Sequence, residues 1–344
     1  MAKPQNQVEV VPIREFDSYK RDWDRLSQEL TNTHPLFDSS FVAPLIDSFA
    51  NDDDKLAVVR SGDEATAILP LSRGTLSWQS WLPAQTQVSP VLIREIPSLF
   101  QFGPGVSLSF DLMCQDPRYS PWLDRLTHDY ASTSLVHSTT MSIDLAGSFD
   151  DYWKQRSRNL RDNMKRKFKK PRKADVEVTM KVVTHPDDMR AAIEAYGELE
   201  SAGWKAKQNT NVSINNKQGK FYLSVLTNFA EKQQAAVYEL YLNENLGASK
   251  LTIANDLMII NLKKAYNESL SEFSPGRLLD YLQLKREFER KKHQVMEFYT
   301  NATRDQLSWS TNSRNIAHYT LFRNRPTALA NRFRGYLKDL ARKG

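Results

Sequence analysis

The chain has 344 residues, 40% of them hydrophobic, and a formal net charge of +6. This length is sufficient for two ordinary domains with separate cores. The single cysteine, Cys114, excludes an internal disulfide and a zinc site built from cysteines. No apolar run is as long as a transmembrane helix, and residues 1–6 lack the apolar core of a signal peptide, so we expect a cytoplasmic protein without a transmembrane segment.

Charge is distributed unevenly along the chain. Residues 1–150 contain 11 lysines and arginines against 20 aspartates and glutamates, a balance of −9. Residues 151–344 contain 36 against 21, a balance of +15. This asymmetry predicts that the second half handles an anionic ligand, such as a phosphorylated cofactor or a nucleic acid.

The first half alternates amphipathic helices with short strands. Apolar residues at helical spacing, and runs of alternating or β-branched residues, predict helices over 18–30 and 41–49 and strands over 56–60, 65–71 and 134–145. Residues 77–122 are rich in tryptophan, proline and glycine, including a Gly103-Pro104-Gly105 turn, and indicate only short alternating elements.

The second half begins with a strongly basic helix. Ser148 and Asp151 form a capping-box pattern, Trp153 and Ser157 start the buried stripe, and Pro171 ends the helix. The remaining elements outside the central stretch are a strand over 175–183, helices over 184–203 and 221–230, a strand over 235–242, a strand over 317–322 and a basic helix over 326–343.

A central stretch organises this half. Two apolar runs, 246–254 and 257–262, are joined by Asn-Asp, which predicts a β-hairpin. A loop follows, then Ser274-Pro275-Gly276-Arg277, in which Ser274 is a suitable N-cap, Pro275 fits the first helical position and Gly276 permits close approach of a ligand. Such a helix start, with a cation in its first turn, predicts an anion site, although the tripeptide can also simply begin a helix.

Histidine and cysteine do not show a metal-binding pattern. His137, His185, His293 and His318 have no ligand-like spacing with one another or with acidic residues, so we expect no histidine metal site. Cys114 has no motif of a nucleophile and is expected to pack in the interior.

Short motifs spread along nearly the whole chain carry a family resemblance. They are Trp23 and Leu26, Ala67-Ile68-Leu69-Pro70-Leu71, Ile143-Asp144-Leu145, Leu160-Arg161, Gly203-Trp204-Lys205, Tyr238-Glu239-Leu240, Ala265-Tyr266, Ser274 to Leu279, Glu297-Phe298 and Leu307-Ser308-Trp309. Their order resembles the GNAT acyltransferases, in the FemAB-like, tandem-GNAT branch grouped with proteins of cellulose and exopolysaccharide synthesis. The chain departs from the family pattern at Asn301 and Gln306, where glycine and lysine are usual, and in its shortened signature loop.

The resemblance implies an α/β fold with mixed sheets and two tandem GNAT-like domains. We expect a degenerate N-terminal domain over 1–146 and a C-terminal GNAT domain over 147–344 that holds acetyl-CoA or another acyl-CoA, without a metal. The implied cofactor-binding residues are those of the loop, Ser274, Pro275, Gly276, Arg277 and Leu278, together with Lys263 and Lys264, which can equally be solvated lysines. All of the loop residues except Pro275 bring a backbone N–H group to a pyrophosphate.

The resemblance also implies the catalytic groups. Direct attack of an amine on a thioester requires a base for the ammonium proton, for which Glu239 is preferred over Glu297, and an acid for the thiolate, for which Tyr266 is proposed. Trp204, Lys205 and Tyr238 are expected to bind the acceptor. A structural role is the alternative for each of these residues.

The predicted function is N-acylation of an amino sugar, a sugar nucleotide or a related envelope or exopolysaccharide precursor. The alternatives are an aminoacyl-tRNA-dependent peptidyltransferase of the Fem type and a non-catalytic scaffold of a polysaccharide-synthesis complex. The basic helix over 154–170 and the tail with Arg332, Arg334, Lys338, Arg342 and Lys343 could contact an anionic surface, a polyanionic glycan or tRNA. Aromatic residues are not interleaved with these charges in the sequence, which disfavours RNA.

Overall fold

A computed structural model describes residues 7–102, 107–201 and 212–329. The helices are α1 Lys20–Thr31, α2 Ser39–Phe49, α3 Leu123–Asp129, α4 Phe149–Gln155, α5 Arg158–Lys173, α6 Met189–Ser201, α7 Lys217–Glu231, α8 Pro275–Arg290 and α9 Arg304–Leu307. The strands are β1 Gln7–Pro12, β2 Lys55–Ser61, β3 Glu64–Arg73, β4 Ser77–Ser80, β5 Leu92–Ile93, β6 Ser109–Gln115, β7 Ala131–Asp144, β8 Val178–Val183, β9 Ala235–Leu242, β10 Asn245–Ala254, β11 Met258–Tyr266, β12 Val295–Glu297 and β13 Asn312–Phe322.

The chain forms two compact units. Unit 1 comprises the residues up to Thr139 and those from Asn315 onward, and unit 2 comprises Thr140–Arg314. The chain leaves unit 1 within β7 and returns to it within β13. This division differs from the predicted domains 1–146 and 147–344, because the last described strand pairs with β6 and therefore belongs to the first unit.

Unit 1 is built on an antiparallel meander to which one parallel strand is added. Its strand order is β1-β2-β3-β4-β6-β13, with β5 paired to β3 and the β4–β6 pair parallel. The predicted strands over 56–60 and 65–71 are β2 and β3, joined by a turn at Gly62, whose φ of 62° only glycine adopts without cost. The buried faces of these strands pack with Leu99, Phe102 and Phe110 into one core.

Unit 2 contains the sheet that carries the central stretch. Its strand order is β7-β12-β11-β10-β9-β8, and the β11–β12 pair is the parallel one. Helix α8 lies against one face of β9, β10 and β11, and α6 and α7 lie against the other. Because the sheet is covered on both sides, the strands are buried almost continuously, as in β10, where eight consecutive residues are buried.

The predicted mixed α/β architecture is confirmed, but two elements differ in detail. The basic helix predicted from Ser148 to Lys170 is two helices, α4 and α5, because Ser157 is not part of a buried stripe: its Oγ accepts a hydrogen bond from Leu160 N and caps α5. Pro171 does not end α5, which continues to Lys173.

No helix among the described residues is both long enough and apolar enough to cross a membrane. The basic tail from Ala330 to Gly344, including the five cations singled out in the sequence, lies outside the described residues, as do Gly103-Pro104-Gly105.

Candidate functional site

Strands β11 and β12 separate after a short pairing. Only three residue pairs join them, from Met258↔Val295 to Ile260↔Glu297, whereas β11 continues for six more residues to Tyr266. On its other side, β11 remains paired with β10 as far as Tyr266. The part of β11 beyond Ile260 therefore has an open edge towards β12, and it leads directly to the start of α8.

The turn between β11 and α8 has an unusual backbone. Ser274 adopts the left-handed conformation, with φ 54° and ψ 51°, and its side chain does not cap the helix. Ser274 is thus the N-cap residue, as predicted, but it does not cap the helix with its side chain. Its carbonyl oxygen begins the helix instead, accepting from Arg277 N at 2.9 Å and Leu278 N at 3.2 Å.

These contacts change which backbone amides can bind an anion. Ser274 N donates to Ser271 O at 2.9 Å, and the N–H groups of Arg277 and Leu278 are used within the turn. Gly276 N–H makes no hydrogen bond to any described residue, and it lies at the positive end of the α8 dipole. One of the predicted amides, that of Gly276, thus remains for a phosphate.

Two cations complete this corner. Lys167, on α5, donates to Ser274 Oγ at 2.8 Å, and both burial and the nearby charge of Arg277 lower the pKa of its ammonium. Arg277 forms an ion pair with Asp305 and lies 5.9 Å from the ring centroid of Trp309. The arrangement of Gly276 N–H, Lys167 and Arg277, which we call the anion corner, suits a diphosphate.

Lys167 was not selected from the sequence. It is one of many cations in α5, and nothing in the local pattern shows which helix face meets the loop before α8. In the structure, the ion pair of Lys170 with Glu272 at 3.3 Å also shows that this face of α5 meets the loop before α8.

A buried polar group supports the corner from below. Asp280, on α8, accepts from Lys250 Nζ and from Lys264 Nζ, each at 2.7 Å, and lies 3.8 Å from Arg277. These lysines hold the pKa of Asp280 well below its usual range despite its burial, and burial lowers the pKa of Lys250 to about 8. Lys264 thus acts near the corner through Asp280, and Lys250 is a functional candidate that sequence reasoning missed.

Lys263 does not join this group. Adjacent strand residues point to opposite faces, and Lys263 contacts Glu200 of α6 at 3.0 Å and Gln218 of α7 at 3.4 Å. Its predicted role at the cofactor phosphates is therefore wrong in this structure, because the side chain lies on the sheet face away from α8.

Tyr238 is also placed differently from the prediction. Its side chain is fully buried beneath α8 and donates to Glu287 Oε1 at 2.6 Å, and burial together with that carboxylate strongly raises the pKa of its hydroxyl. Tyr238 is a core residue and does not line an acceptor site. Leu278 is likewise buried in the core below α8, and Pro275 packs 3.1 Å from where a Cβ on Gly247 would lie.

Both candidate bases lie on the face opposite α8. Glu239 alternates with Tyr238 on β9, and its carboxylate accepts from Tyr241 Oη at 3.0 Å. Its cross-strand neighbour is Ser249, whose buried hydroxyl has no hydrogen-bond partner in the described structure. An unpaired buried hydroxyl beside a carboxylate is a polar position that a substrate can satisfy.

Glu297 is held more firmly. Its carboxylate accepts from Arg314 at 3.0 Å, and Arg314 lies 5.2 Å from the ring centroid of Tyr299. Its cross-strand neighbour on β7 is Ser142, another buried hydroxyl without a hydrogen-bond partner among the described residues. Register through Ile260 places Glu297 on the same face as Glu239.

Tyr266 lies at the mouth of the open edge. Its side chain is 47% exposed, and its ring is 3.5 Å from where a Cβ on Gly276 would lie. The structure therefore brings Tyr266, Gly276, Arg277 and Lys264 together on the α8 side. Trp204 and Lys205, predicted to bind the acceptor, lie outside the described residues.

In unit 1 the structure brings together three residues that sequence spacing kept apart. Potential metal-ligand atoms of Cys114, His137 and His318 lie within 4.8 Å of one another. The spacing of these residues in the sequence did not predict that they would meet. His318 Nδ1 accepts from Cys114 N at 2.9 Å, which leaves the His318 proton on Nε2, 3.0 Å from His137 Nδ1. Burial raises the pKa of the Cys114 thiol to about 11. The cluster is thus connected by hydrogen bonds, and its thiol is protonated at neutral pH.

Comparisons with known proteins show which fold the chain shares. Residues 158–306 match the family model of the acetyltransferase (GNAT) domain, and no curated protein matches the chain. The FemX crystal structure is similar with a TM-score of 0.56 at 8% identity, covering 89% of this chain and 96% of FemX.

Two further solved structures share the fold. The DUF2156 domain of an Agrobacterium fabrum protein assigned as a lysylphosphatidylglycerol synthetase has a TM-score of 0.56 at 13% identity, covering 90% of this chain and 95% of that one. A Bacteroides thetaiotaomicron protein of unknown function has a TM-score of 0.55 at 10% identity, covering 93% and 100%. Residues 158–306 are therefore similar to the GNAT acetyltransferase domain, and the chain shares the fold of FemX.

Proposed function

We propose that this protein is an acyl-CoA-dependent N-acyltransferase, with acetyl-CoA as the expected donor. The observation that carries the proposal is the anion corner, where Gly276 N–H, Lys167 and Arg277 converge at the end of the open strand edge. One free amide and two cations at a helix N-terminus match a diphosphate in charge and in hydrogen-bonding capacity. Bound acyl-CoA supplies the activated thioester that the acceptor amine attacks.

The proposed base and the proposed acid come from opposite faces of the sheet. Glu239 accepts the proton that the attacking amine releases, directly or through a water molecule, and its buried neighbour Ser249 offers a hydroxyl for the acceptor. Glu239 is preferred over Glu297 because Arg314 already neutralises Glu297 at 3.0 Å. Tyr266 donates a proton to the leaving thiolate from the α8 side.

The acceptor is proposed to be an amino sugar, a sugar nucleotide or a related envelope or exopolysaccharide precursor. This choice follows the family resemblance of the sequence. Glu239 and the buried hydroxyls of Ser249 and Ser142 make the sheet face opposite α8 polar, which is compatible with a hydroxylated substrate.

Isothermal titration calorimetry with acetyl-CoA tests the proposal. We expect micromolar binding by the wild type, and Arg277→Ala and Lys167→Ala should each weaken it about tenfold, since a charge-assisted hydrogen bond contributes about 1.5–3 kcal/mol. Lys154→Ala is the matched control: Lys154 is an exposed cation on α4 whose ion pair is with Asp151 at 3.8 Å, and its loss should leave binding unchanged.

Each contrary outcome assigns a different function. Absence of acetyl-CoA binding together with tight, salt-sensitive binding of tRNA would replace the proposal with a Fem-type aminoacyl-tRNA-dependent transferase. If the protein binds neither acetyl-CoA nor tRNA, the remaining alternative is a non-catalytic scaffold of a polysaccharide-synthesis complex. Acetyl-CoA binding that ignores both corner substitutions would remove the anion corner from the account.

A further inference from the structure

The cluster of Cys114, His137 and His318 in unit 1 takes no part in the proposed acyl transfer. Its potential metal-ligand atoms, one sulfur and two imidazole nitrogens, lie within 4.8 Å of one another. Each residue comes from a different strand: Cys114 from β6, His137 from β7 and His318 from β13, which lies between the other two. A thiolate with two imidazoles is a donor set that zinc and copper prefer, whereas magnesium and calcium prefer oxygen ligands.

A β-bulge brings the thiol into this cluster. The register of β13 against β6 shifts between Ala317 and Tyr319. As a result, Met113 and Cys114 of β6 together oppose the single residue His318 of β13. A bulge turns a side chain out of the regular alternation of its strand, and bulges are frequent beside functional sites. The bulge at Cys114 therefore directs its thiol to the side of the sheet that carries the His318 ring.

The bulge requires an unusual backbone conformation of Cys114. Its φ is 43°, in the left-handed region, which glycine adopts freely and a residue with a side chain adopts at a cost. The Cys114 side chain is also buried, with 1% of its surface exposed. Backbone outliers of this kind concentrate at active sites and ligand clamps. A cysteine where glycine would be less strained favours a role for the thiol itself.

The cluster is open to solvent on one side. Cys114 is buried, His318 is half-buried and His137 is exposed. An ion can therefore reach the thiol, and a coordination position remains for a water molecule. Negative charge lies on the same face, because the Asp111 carboxylate accepts from Thr320, two residues from His318 on β13, at 2.6 Å. This carboxylate favours a cation in the cluster.

The spacing of the two imidazole nitrogens suits a tetrahedral metal ion. His318 Nε2 lies 3.0 Å from His137 Nδ1. With Zn–N bonds of about 2.0–2.1 Å, tetrahedral coordination places two nitrogen ligands about 3.3 Å apart. The rings need to separate only slightly, and the exposed ring of His137 can make this adjustment by rotating.

We propose that Cys114, His137 and His318 bind one zinc ion, with a water molecule as the fourth ligand. Zinc replaces the proton between the two rings, and the thiol proton is released to solvent. The His318 proton moves from Nε2 to Nδ1, so Cys114 N–H gives up its present hydrogen bond to Nδ1. The ion joins β6, β7 and β13 and thereby stabilises unit 1, a role that is independent of the proposed acyl transfer.

Cobalt(II) is the probe for this site, because a thiolate ligand gives a sulfur-to-cobalt charge-transfer band. Cys114 is the single cysteine of the chain, so a band of this kind reports on this cluster alone. The chain is used without a histidine tag, after a chelator has removed bound metal. The variants are His137→Ala and Cys114→Ser. His128→Ala is the matched control, since His128 is a histidine of unit 1 whose side chain is 87% exposed and is paired with Asp129.

We expect the wild type to bind one cobalt ion per chain with a charge-transfer band that zinc abolishes and magnesium does not. His137→Ala should weaken binding about 100-fold, because loss of a ligand costs at least as much as loss of a group that merely orients one. Cys114→Ser should remove the band, and His128→Ala should change neither the band nor the affinity. Zinc should raise the melting temperature of the wild type but not that of Cys114→Ser.

Three results would overturn the proposal. They are the absence of the band at saturating cobalt, a band that His137→Ala leaves with unchanged affinity, and equal weakening by His137→Ala and His128→Ala, which would identify an adventitious surface contact. Circular dichroism checks that each variant folds like the wild type. Since none of these readouts involves CoA, their failure would leave the proposed function standing, and failure of acetyl-CoA binding would leave the zinc site standing.

Discussion

At the scale of single residues, Asp280 connects the core of unit 2 to the anion corner. Its carboxylate accepts from Lys250 and Lys264, and Gln283 adds a second acceptor for Lys250 Nζ at 2.6 Å. Burial penalises the charge of Lys250, whereas Asp280 stabilises it, and burial is the larger effect on the Lys250 pKa. A fully buried lysine whose pKa has fallen to about 8 makes the stability of this region depend on pH.

The direction of this dependence follows from the two states of Lys250. Its pKa is about 8 in the folded protein and about 10.4 in the unfolded chain, so the unfolded chain binds more protons between these values. Stability contributed by Lys250 therefore rises with pH in this window, by about 1.4 kcal/mol per pH unit. Lys250→Met removes that contribution.

Urea unfolding of the wild type and Lys250→Met at pH 7.5, 8.5 and 9.5 measures the effect. The difference in unfolding free energy between them should shift in favour of the wild type as the pH rises. Lys220→Ala, at an exposed position on α7, is the control and should follow the wild-type slope. Parallel pH profiles for the wild type and Lys250→Met would show that Lys250 titrates normally.

At the scale of elements, the sequence pattern predicted the strands and turns that depend on neighbouring residues. Strand β9 was predicted at its observed bounds, and the hairpin of β10 and β11 within a few residues, because turn residues separate continuous apolar runs. The division of 148–170 into α4 and α5 was missed, since Ser157 fits a helical stripe as well as a cap. The extension of β11 to Tyr266 was missed because Lys263 and Lys264, which are depleted in strands, interrupt the apolar run after Leu262.

Helix α7 depends on a close backbone approach at its start. Asn216 Oδ1 caps Gly219 N at 2.9 Å, and a Cβ on Gly219 would lie 1.9 Å from the backbone oxygen of Ser213. Gly219→Ala should therefore lower the free energy of unfolding by about 3 kcal/mol, since backbone atoms must move.

Gly276→Ala is the matched control for this substitution. Its Cβ would meet Tyr266 at an ordinary 3.5 Å, and alanine favours a helix by about 1 kcal/mol over glycine. The unfolding free energy of Gly276→Ala should remain unchanged or rise. Equal stability of Gly219→Ala and the wild type in urea unfolding would refute the close approach at α7.

At the scale of the whole molecule, the mixed α/β class and the basic second half were accessible from the sequence, but the composition of the units was not. Strand β13 returns to unit 1 to pair with β6, a contact between residues some 200 positions apart in sequence. No local pattern encodes such a pairing. The same limitation explains the Cys114–His137–His318 cluster and the missed Lys167, each of which depends on how distant segments meet.

The arrangement of the candidate site likewise depends on tertiary contacts. The sequence located the start of α8, but which amides stay free depends on the left-handed turn at Ser274, and which cations join depends on the packing of α5. Three of the predicted backbone donors are used within the chain, and Lys263 and Tyr238 point elsewhere. The remaining groups, Gly276 N–H, Arg277 and Lys167, form the anion corner that we propose binds the diphosphate of acyl-CoA.

The most direct test of this claim is an NMR titration of the ¹⁵N-labelled protein with acetyl-CoA, following the Gly276 amide. Formation of a hydrogen bond to a phosphate should move the Gly276 proton resonance downfield with a saturable dependence on ligand, while the amide of Gly62, in the β2–β3 turn of unit 1, stays unchanged. Saturating acetyl-CoA that leaves the Gly276 resonance in place would contradict the account.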